Sequence, residues 1–308
     1  MIKISAVICT YKRANYLRAA LQSLCAQSLS RDKYEIIVID NADEQEAELV
    51  VNEFRNTNVE LRYLIERQVG LSHARNTGLR EARGKYVAYL DDDARADAHW
   101  LESLLDAFEK EKPAAVGGRV WLDWDGEKPG WVRDEQLWLF SFVDHGDEGH
   151  ALRTYEYLVG ANLAFQISDL KAVGGFDGDL GRKGSVLLSG EESKVLDEMR
   201  ERGWAVYYEP AALVWHSVHP SRKRPQWLLR RVFWDGASQP LMDRHRRSRL
   251  SLLRGLVYDL RQCASWAVRA LAAWILGRRN VAWHSMLGLS QRAGRLRTQM
   301  LMLARSHD

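Results

Sequence analysis

Cysteine is scarce: Cys9, Cys25 and Cys263 lie far apart, and no two share a CxxC spacing. That excludes a disulfide framework and a thiolate zinc site, and leaves free thiols suited to a reducing compartment. No stretch of about 18 uncharged apolar residues occurs, so no membrane-spanning helix is expected. The most apolar candidate, 263–276, is shorter and contains Arg269. The segment 1–9 is too short for the apolar core of a signal peptide and reads as a first strand. Neither an internal repeat nor a low-complexity linker is found. Acid is also missing from the end of the chain: after Asp259 none occurs until Asp308.

What is present is unevenly charged. Residues 1–218 carry 26 Lys+Arg against 37 Asp+Glu, whereas 219–308 carry 18 against 4. An acidic body with a basic tail speaks to partners rather than to fold. The chain of 308 residues suits one large α/β domain with an appendage. The expected division is 1–220, followed by a basic, helical region at 221–308.

Short apolar runs alternate with helical spacing. Strands are expected at 2–9, 34–39, 61–65, 85–90 and 114–120, and helices at 14–27, 45–54, 72–82 and 100–109. This alternation predicts a mostly parallel sheet with helices on both faces. Periodicity lapses over 121–153, which is rich in Trp, Asp and Gly. A strand is then expected at 157–165, a helix at 189–202 stopped by Gly203, and extended pieces at 204–208 and 213–216. In such sheets ligands bind beyond the carboxyl ends of the strands. Thr10, Tyr11, Asp40, Asn41 and Asp91 to Asp93 stand at those ends, and are expected to converge on one crevice.

Three carboxylates at one strand end, Asp91-Asp92-Asp93, repel one another and call for a cation. Hard oxygen ligands suit Mg²⁺ or Mn²⁺. Alternation along the strand puts Asp91 and Asp93 on one side. The competing reading is a solvated acidic turn that caps the next helix.

These residues belong to an ordered set: Val7-Ile8-Cys9-Thr10-Tyr11-Lys12-Arg13, Ile37-Val38-Ile39-Asp40-Asn41, Gly70-Leu71-Ser72-His73-Ala74-Arg75-Asn76-Thr77-Gly78 and Tyr89-Leu90-Asp91-Asp92-Asp93, then Gly160-Ala161-Asn162, Gly174-Gly175-Phe176-Asp177 and Gly190-Glu191-Glu192. The set resembles the family 2 glycosyltransferases, which have the GT-A fold. The resemblance implies an inverting, metal-dependent enzyme that moves a sugar from a nucleotide-diphosphate sugar to an acceptor hydroxyl. It assigns Thr10, Tyr11, Arg13 and Asp40 to the base and ribose. A carboxylate such as Asp40 can accept the imide N–H of uracil or thymine, or else cap the following helix. Arg75 is assigned to the donor phosphates, where a guanidinium binds two oxygens at once. Asp91 and Asp93 match the metal-binding DxD signature, with Asp92 on the ribose or the sugar and Asn162 on the donor sugar. His216 completes the metal site in several relatives, and an imidazole suits Mn²⁺ better than Mg²⁺. Glu192 matches the catalytic base, with Glu191 as the alternative; the family's usual residue at the base position is Asp, so the longer side chain is a departure. Asp177 is assigned either to the acceptor or to a local cap, and His219, Arg222, Lys223 and Arg224 to a flexible clamp on the diphosphate.

UDP is the favoured nucleotide, ahead of dTDP and GDP, and the acceptor is expected to be a saccharide or a lipid-linked species in cell-surface polysaccharide or glycolipid assembly. The Gln-x-x-Arg-Trp motif of processive synthases has no counterpart, since Gln226-Trp227-Leu228-Leu229-Arg230 does not match it. The loop after the first strand has no glycine, which disfavours a sugar nucleotidyltransferase. A membrane-associated scaffold that binds nucleotide sugars without turnover is the other alternative. In the tail, Leu253, Leu256, Leu260, Ala264, Ala267, Leu271 and Ile275 form one helical stripe among arginines, with Trp266, Trp274 and Trp283 nearby. Such a stripe either lies on an anionic membrane, here the inner face of the cell membrane for a cytoplasmic protein, or packs on the rest of the protein or a second subunit. No motif supports nucleic-acid binding.

Overall fold

The computed structural model describes residues 1–43 and 45–305; the last three residues of the expected 221–308 region lie outside it. The first half alternates as the spacing predicts: β1 (Ile4–Thr10), α1 (Ala14–Cys25), β2 (Tyr34–Asp40), α2 (Gln45–Glu53), β3 (Glu60–Ile65), α3 (Leu71–Glu81) and β4 (Tyr86–Asp91). Runs such as Ile36-Ile37-Val38-Ile39 are buried on both faces, as interior strands of a parallel sheet require. β1 pairs in parallel with β2 and β4, and β2 with β3.

The chain continues through β5 (Ala94–Ala96), α4 (Trp100–Glu111), β6 (Ala115–Asp123), β7 (His150–Ala151), β8 (Asn162–Gln166), α5 (Ile167–Ala172), α6 (Glu191–Glu201) and β9 (Val206–Ser217). The sheet runs β3-β2-β1-β4-β8-β6-β9-β5, with β7 on β9. β8 runs against its neighbours β4 and β6, and the short β5 and β7 run against β9; the other strands share one direction. The sheet is therefore mostly parallel, as expected.

Helices cover both faces. Alternate residues of β1 face opposite cores: Ile4, Ala6 and Ile8 join Leu17 and Leu21 of α1 and Trp100 and Leu104 of α4. Val7 joins Ala74 and Leu79 of α3 and Val195 and Met199 of α6. Two sequence expectations change. The pieces 204–208 and 213–216 form one strand, β9, which passes through Pro210 with a register shift opposite Gly118 and Val120. A proline has no N–H for the ladder, so the strand tolerates it only beside such an irregularity. The strand expected from 157 begins at Asn162.

The chain divides into two compact units, Met1–Gly178 with Glu192–His219, and Asp179–Glu191 with Pro220–Asp308. The second is built on α7 (Pro225–Met242), α8 (Arg249–Ile275) and α9 (Arg279–Arg305). Gly236 of α7 lies against the backbone of Gln291, and Gly294 of α9 against that of Phe233, so at each contact a residue without a side chain lets the other helix's backbone approach. Asp259 of α8 is fully buried and accepts hydrogen bonds from Arg292, Arg295 and Gln299 of α9.

Candidate active site

The ends of β1, β4 and β9 meet at the Asp91-Asp92-Asp93 run. Thr10 Oγ1 donates to Asp92 Oδ2 at 2.9 Å. Arg13, just before α1, donates through Nη1 to Asp92 Oδ1 at 3.2 Å and to Asp93 Oδ2 at 2.9 Å. Burial pushes the Asp92 carboxyl up to about 6; Asp93 adds to the rise, and Arg13 and the Thr10 hydroxyl oppose it. The expectation placed Asp92 on the ribose or sugar, and Thr10 and Arg13 on the base and ribose. Their side chains instead bind one another, so Asp92 fastens β1 and the start of α1 to the acidic run.

His216 arrives by a route the sequence did not reveal. β5 follows the acidic run directly and pairs antiparallel with β9, bringing Ala94 opposite His216. The Ser217 N–H then donates to the Asp93 carbonyl. This pairing sets His216 Nε2 3.2 Å from Asp93 Oδ1. One ligand atom each from Asp91, Asp93 and His216 lies within 4.8 Å of the others. The imidazole is fully buried, and neither ring nitrogen has a hydrogen-bond partner among the described residues. A buried imidazole with two open nitrogens is costly unless something binds it. Two carboxylates and one imidazole fit Mn²⁺, with Mg²⁺ the harder alternative.

Arg75 is 3% exposed. Its guanidinium lies 3.4 Å from Asp91 Oδ1 and over the rings of Tyr89 and Phe176, at 5.9 and 5.5 Å. Phe176 is held in turn by Asn76, whose amide donates to the Phe176 carbonyl at 2.8 Å and accepts its N–H at 2.9 Å. Gly174 and Gly175 both have positive φ, which bends the chain into that clamp. Asp177 pairs with Lys194 of α6 at 2.8 Å.

Asp40 is buried, and its oxygens accept from Tyr63 Oη and from the Ala42 N–H, both at 2.8 Å. The phenol of Tyr63 is held well above its usual range, first by burial and then by Asp40. Neighbouring Asn41 has a task that motif reading missed. Its amide donates to the carbonyls of Glu66 and Gln68 and accepts from Gly70 N–H, fixing the loop that enters α3. Tyr11 stays partly exposed.

Asn162 requires a correction. Its side chain is fully buried; Oδ1 accepts from Trp100 Nε1 at 2.8 Å, and Nδ2 donates to the carbonyls of Arg119 and Ala212 at 3.0 and 2.6 Å. An amide with both N–H groups engaged, at zero exposure, knits strands together and does not reach a sugar. Arg222 is also buried, over the Trp227 ring at 6.0 Å.

Glu191 and Glu192 open α6, where the helix N-terminus favours negative charge. Glu192 Oε2 is buried and has no hydrogen-bond partner among the described residues. Glu191 is 3% exposed.

Comparison with known proteins accords with this arrangement. Glucosyl-dolichyl phosphate glucuronosyltransferase of Haloferax volcanii is 31% identical over 79% of this chain and 78% of its own. The succinoglycan biosynthesis protein ExoM of Rhizobium meliloti is 27% identical over 74% of this chain and 71% of its own. Among solved structures, the mannosyltransferase PcManGT from Pyrobaculum calidifontis, in complex with GDP-Man and Mn²⁺, covers 99% of this chain and 88% of its own, with a TM-score of 0.66 at 19% identity. At that identity the likeness concerns the fold, which is the expected GT-A type. Residues 5–161 match the family described as Glycosyl transferase family 2. The chain is a glycosyltransferase and belongs to glycosyl transferase family 2.

Proposed function

We propose that the chain moves a sugar from a nucleoside-diphosphate sugar to an acceptor hydroxyl, with inversion at the anomeric carbon and dependence on a divalent cation. The observation that carries this reading is the buried imidazole of His216, with no hydrogen bond to its ring nitrogens among the described residues, set 3.2 Å from the Asp93 carboxylate and close to Asp91. Asp91, Asp93 and His216 would hold Mn²⁺ or Mg²⁺, and such an ion supplies Lewis-acid neutralisation of a diphosphate's charge. Asp40 accepts an N–H of the base, with UDP the first choice and dTDP and GDP behind it. Arg75 offers its guanidinium to phosphate oxygens while resting beside the Tyr89 and Phe176 rings. Glu192 takes the proton of the acceptor hydroxyl as that oxygen bonds to the anomeric carbon, and the bond to the diphosphate breaks with its electrons leaving on the nucleotide. One carboxylate opposite one leaving group suits a single in-line displacement, hence inversion. The relative named for glucosyl-dolichyl phosphate supports a lipid-linked saccharide as acceptor, and the succinoglycan relative supports a growing polysaccharide.

Calorimetry with UDP, dTDP and GDP, each with and without Mn²⁺, tests the reading on wild type, Asp93→Ala and His216→Ala. The expected result is metal-dependent binding of one nucleotide, weakened in both variants. Failure of folded wild type to bind any of the three would refute it, and product that retains the donor's anomeric configuration would refute the mechanism.

A further inference from the structure

Most of the tail's helical stripe is exposed. On α8, Leu253, Val257, Leu260, Val268, Leu271 and Ile275 are each between 45% and 68% exposed. Their spacing, with exposed Ala264 between, keeps them on one face. The opposite face carries the buried Leu252, Asp259 and Ala273 that meet the rest of the helical unit. From Leu253 to Ile275 the outer strip is about 33 Å long, a contiguous apolar face of the kind that marks an interaction site.

Charge selects what covers it. Arg254 and Arg261 flank the strip and are exposed, as are Arg269, Arg278 and Arg279 toward its far end. Among the described residues, Arg254, Arg261, Arg278 and Arg279 form no ion pair. The one acid on α8, Asp259, is buried and neutralised by Arg292 and Arg295. Trp274, 72% exposed, ends the strip beside the last two arginines. A second copy of the same face would set arginine against arginine with no acid to answer. A nucleic acid would leave the aliphatic strip in water. We propose that the outward face of α8 lies flat on an anionic lipid bilayer, its aliphatic side chains entering the acyl boundary and its arginines meeting lipid phosphates. This binding does not depend on the catalytic reading above.

Flotation of the full chain with phosphatidylcholine vesicles, with and without phosphatidylglycerol, tests the proposal. Arg254→Gln/Arg261→Gln/Arg278→Gln removes three unpaired charges, and Leu253→Gln/Leu260→Gln/Leu271→Gln polarises the strip; melting curves check that both variants fold. The chain is expected to float with phosphatidylglycerol vesicles and to be released by salt. The arginine variant should partition about a hundredfold less, on the order of fivefold for each charge. The leucine variant should stay in the dense fraction. Absence of flotation at low salt overturns the proposal, as does flotation that neither variant alters. A dimer in solution that the leucine variant converts to monomer would assign the face to a second copy, and would also overturn it.

Discussion

A methyl group added at Gly160 would fall inside the guanidinium of Arg75, so the absence of a side chain there is what keeps that arginine beside Asp91. Gly160→Ala and Arg75→Ala should therefore do the same damage. Each is expected to lower kcat/KM at least about tenfold, and the double variant should be no worse than either, because both act on one interaction. Steady-state donor turnover measures this. Cys9 offers a test of burial alone. Its thiol is pushed up to about 12, chiefly by burial, with Asp91 and Asp92 adding to the rise and Arg75 opposing it. The thiolate is the reactive form, so iodoacetamide at pH 8 should spare Cys9 in the native protein and modify it after unfolding. The sign for stability follows. The unfolded thiol ionises near 9, so its native contribution is complete below that pH and is lost as pH rises toward 12. The stability difference between wild type and Cys9→Ala should drift in that direction. The acidic run and Arg75 were legible because each stood in a motif of the right residue types. The dependence on Gly160 was not, because it joins positions far apart in sequence that meet only when β4 and the chain before β8 come together.

Among the elements, β5 is three residues long and shows no alternation, yet its pairing with β9 is what delivers His216 to Asp93. An element that short leaves no periodic signal, so the sequence could nominate the histidine but not explain its approach. Asn162 illustrates the converse. Standing next to Gly160-Ala161 in a recognisable segment, it read as a sugar contact, whereas its amide joins α4, β6 and β9. Asn162→Ala would strand the Trp100 N–H and two strand carbonyls in the core, and should cost about 3 kcal/mol or more, at about 1–3 per buried group left unsatisfied. A thermal melt should show the loss; unchanged stability would return Asn162 to the candidate ligands. In the helical unit, Asp259→Ala should cost about 3–5 kcal/mol because it abandons two arginines at a buried site, whereas Arg254→Gln on the outer face of the same helix should cost almost nothing. Denaturant midpoints distinguish the two.

For the whole molecule, the mostly parallel sheet and the helical character of the C-terminal region were readable from periodicity. The family's motifs sit mainly at strand ends, which is why fold and site could be read together. The reversed direction of β8 could not: a strand's apolar pattern is the same read in either sense. Nor could the membership of 179–191, which lacks a periodic pattern but belongs with the helices through contacts such as Ser189 N–H to Ser238 Oγ and Arg230 to the Ser185 carbonyl. A chain ending at 219 should therefore leave this segment without its partners, and trypsin should cut after Arg182 or Lys183 there while sparing the full chain.

That same segment sets an order of events during synthesis. Residues 179–191 leave the ribosome before β9 exists, but the side chains that receive them, Arg230, Arg231, Ser238 and Met242 among them, emerge only after β9. The loop must wait while the rest of the α/β sheet is completed around its two ends. Any pause in translation between β9 and α7 prolongs the interval in which it is open to proteases and chaperones.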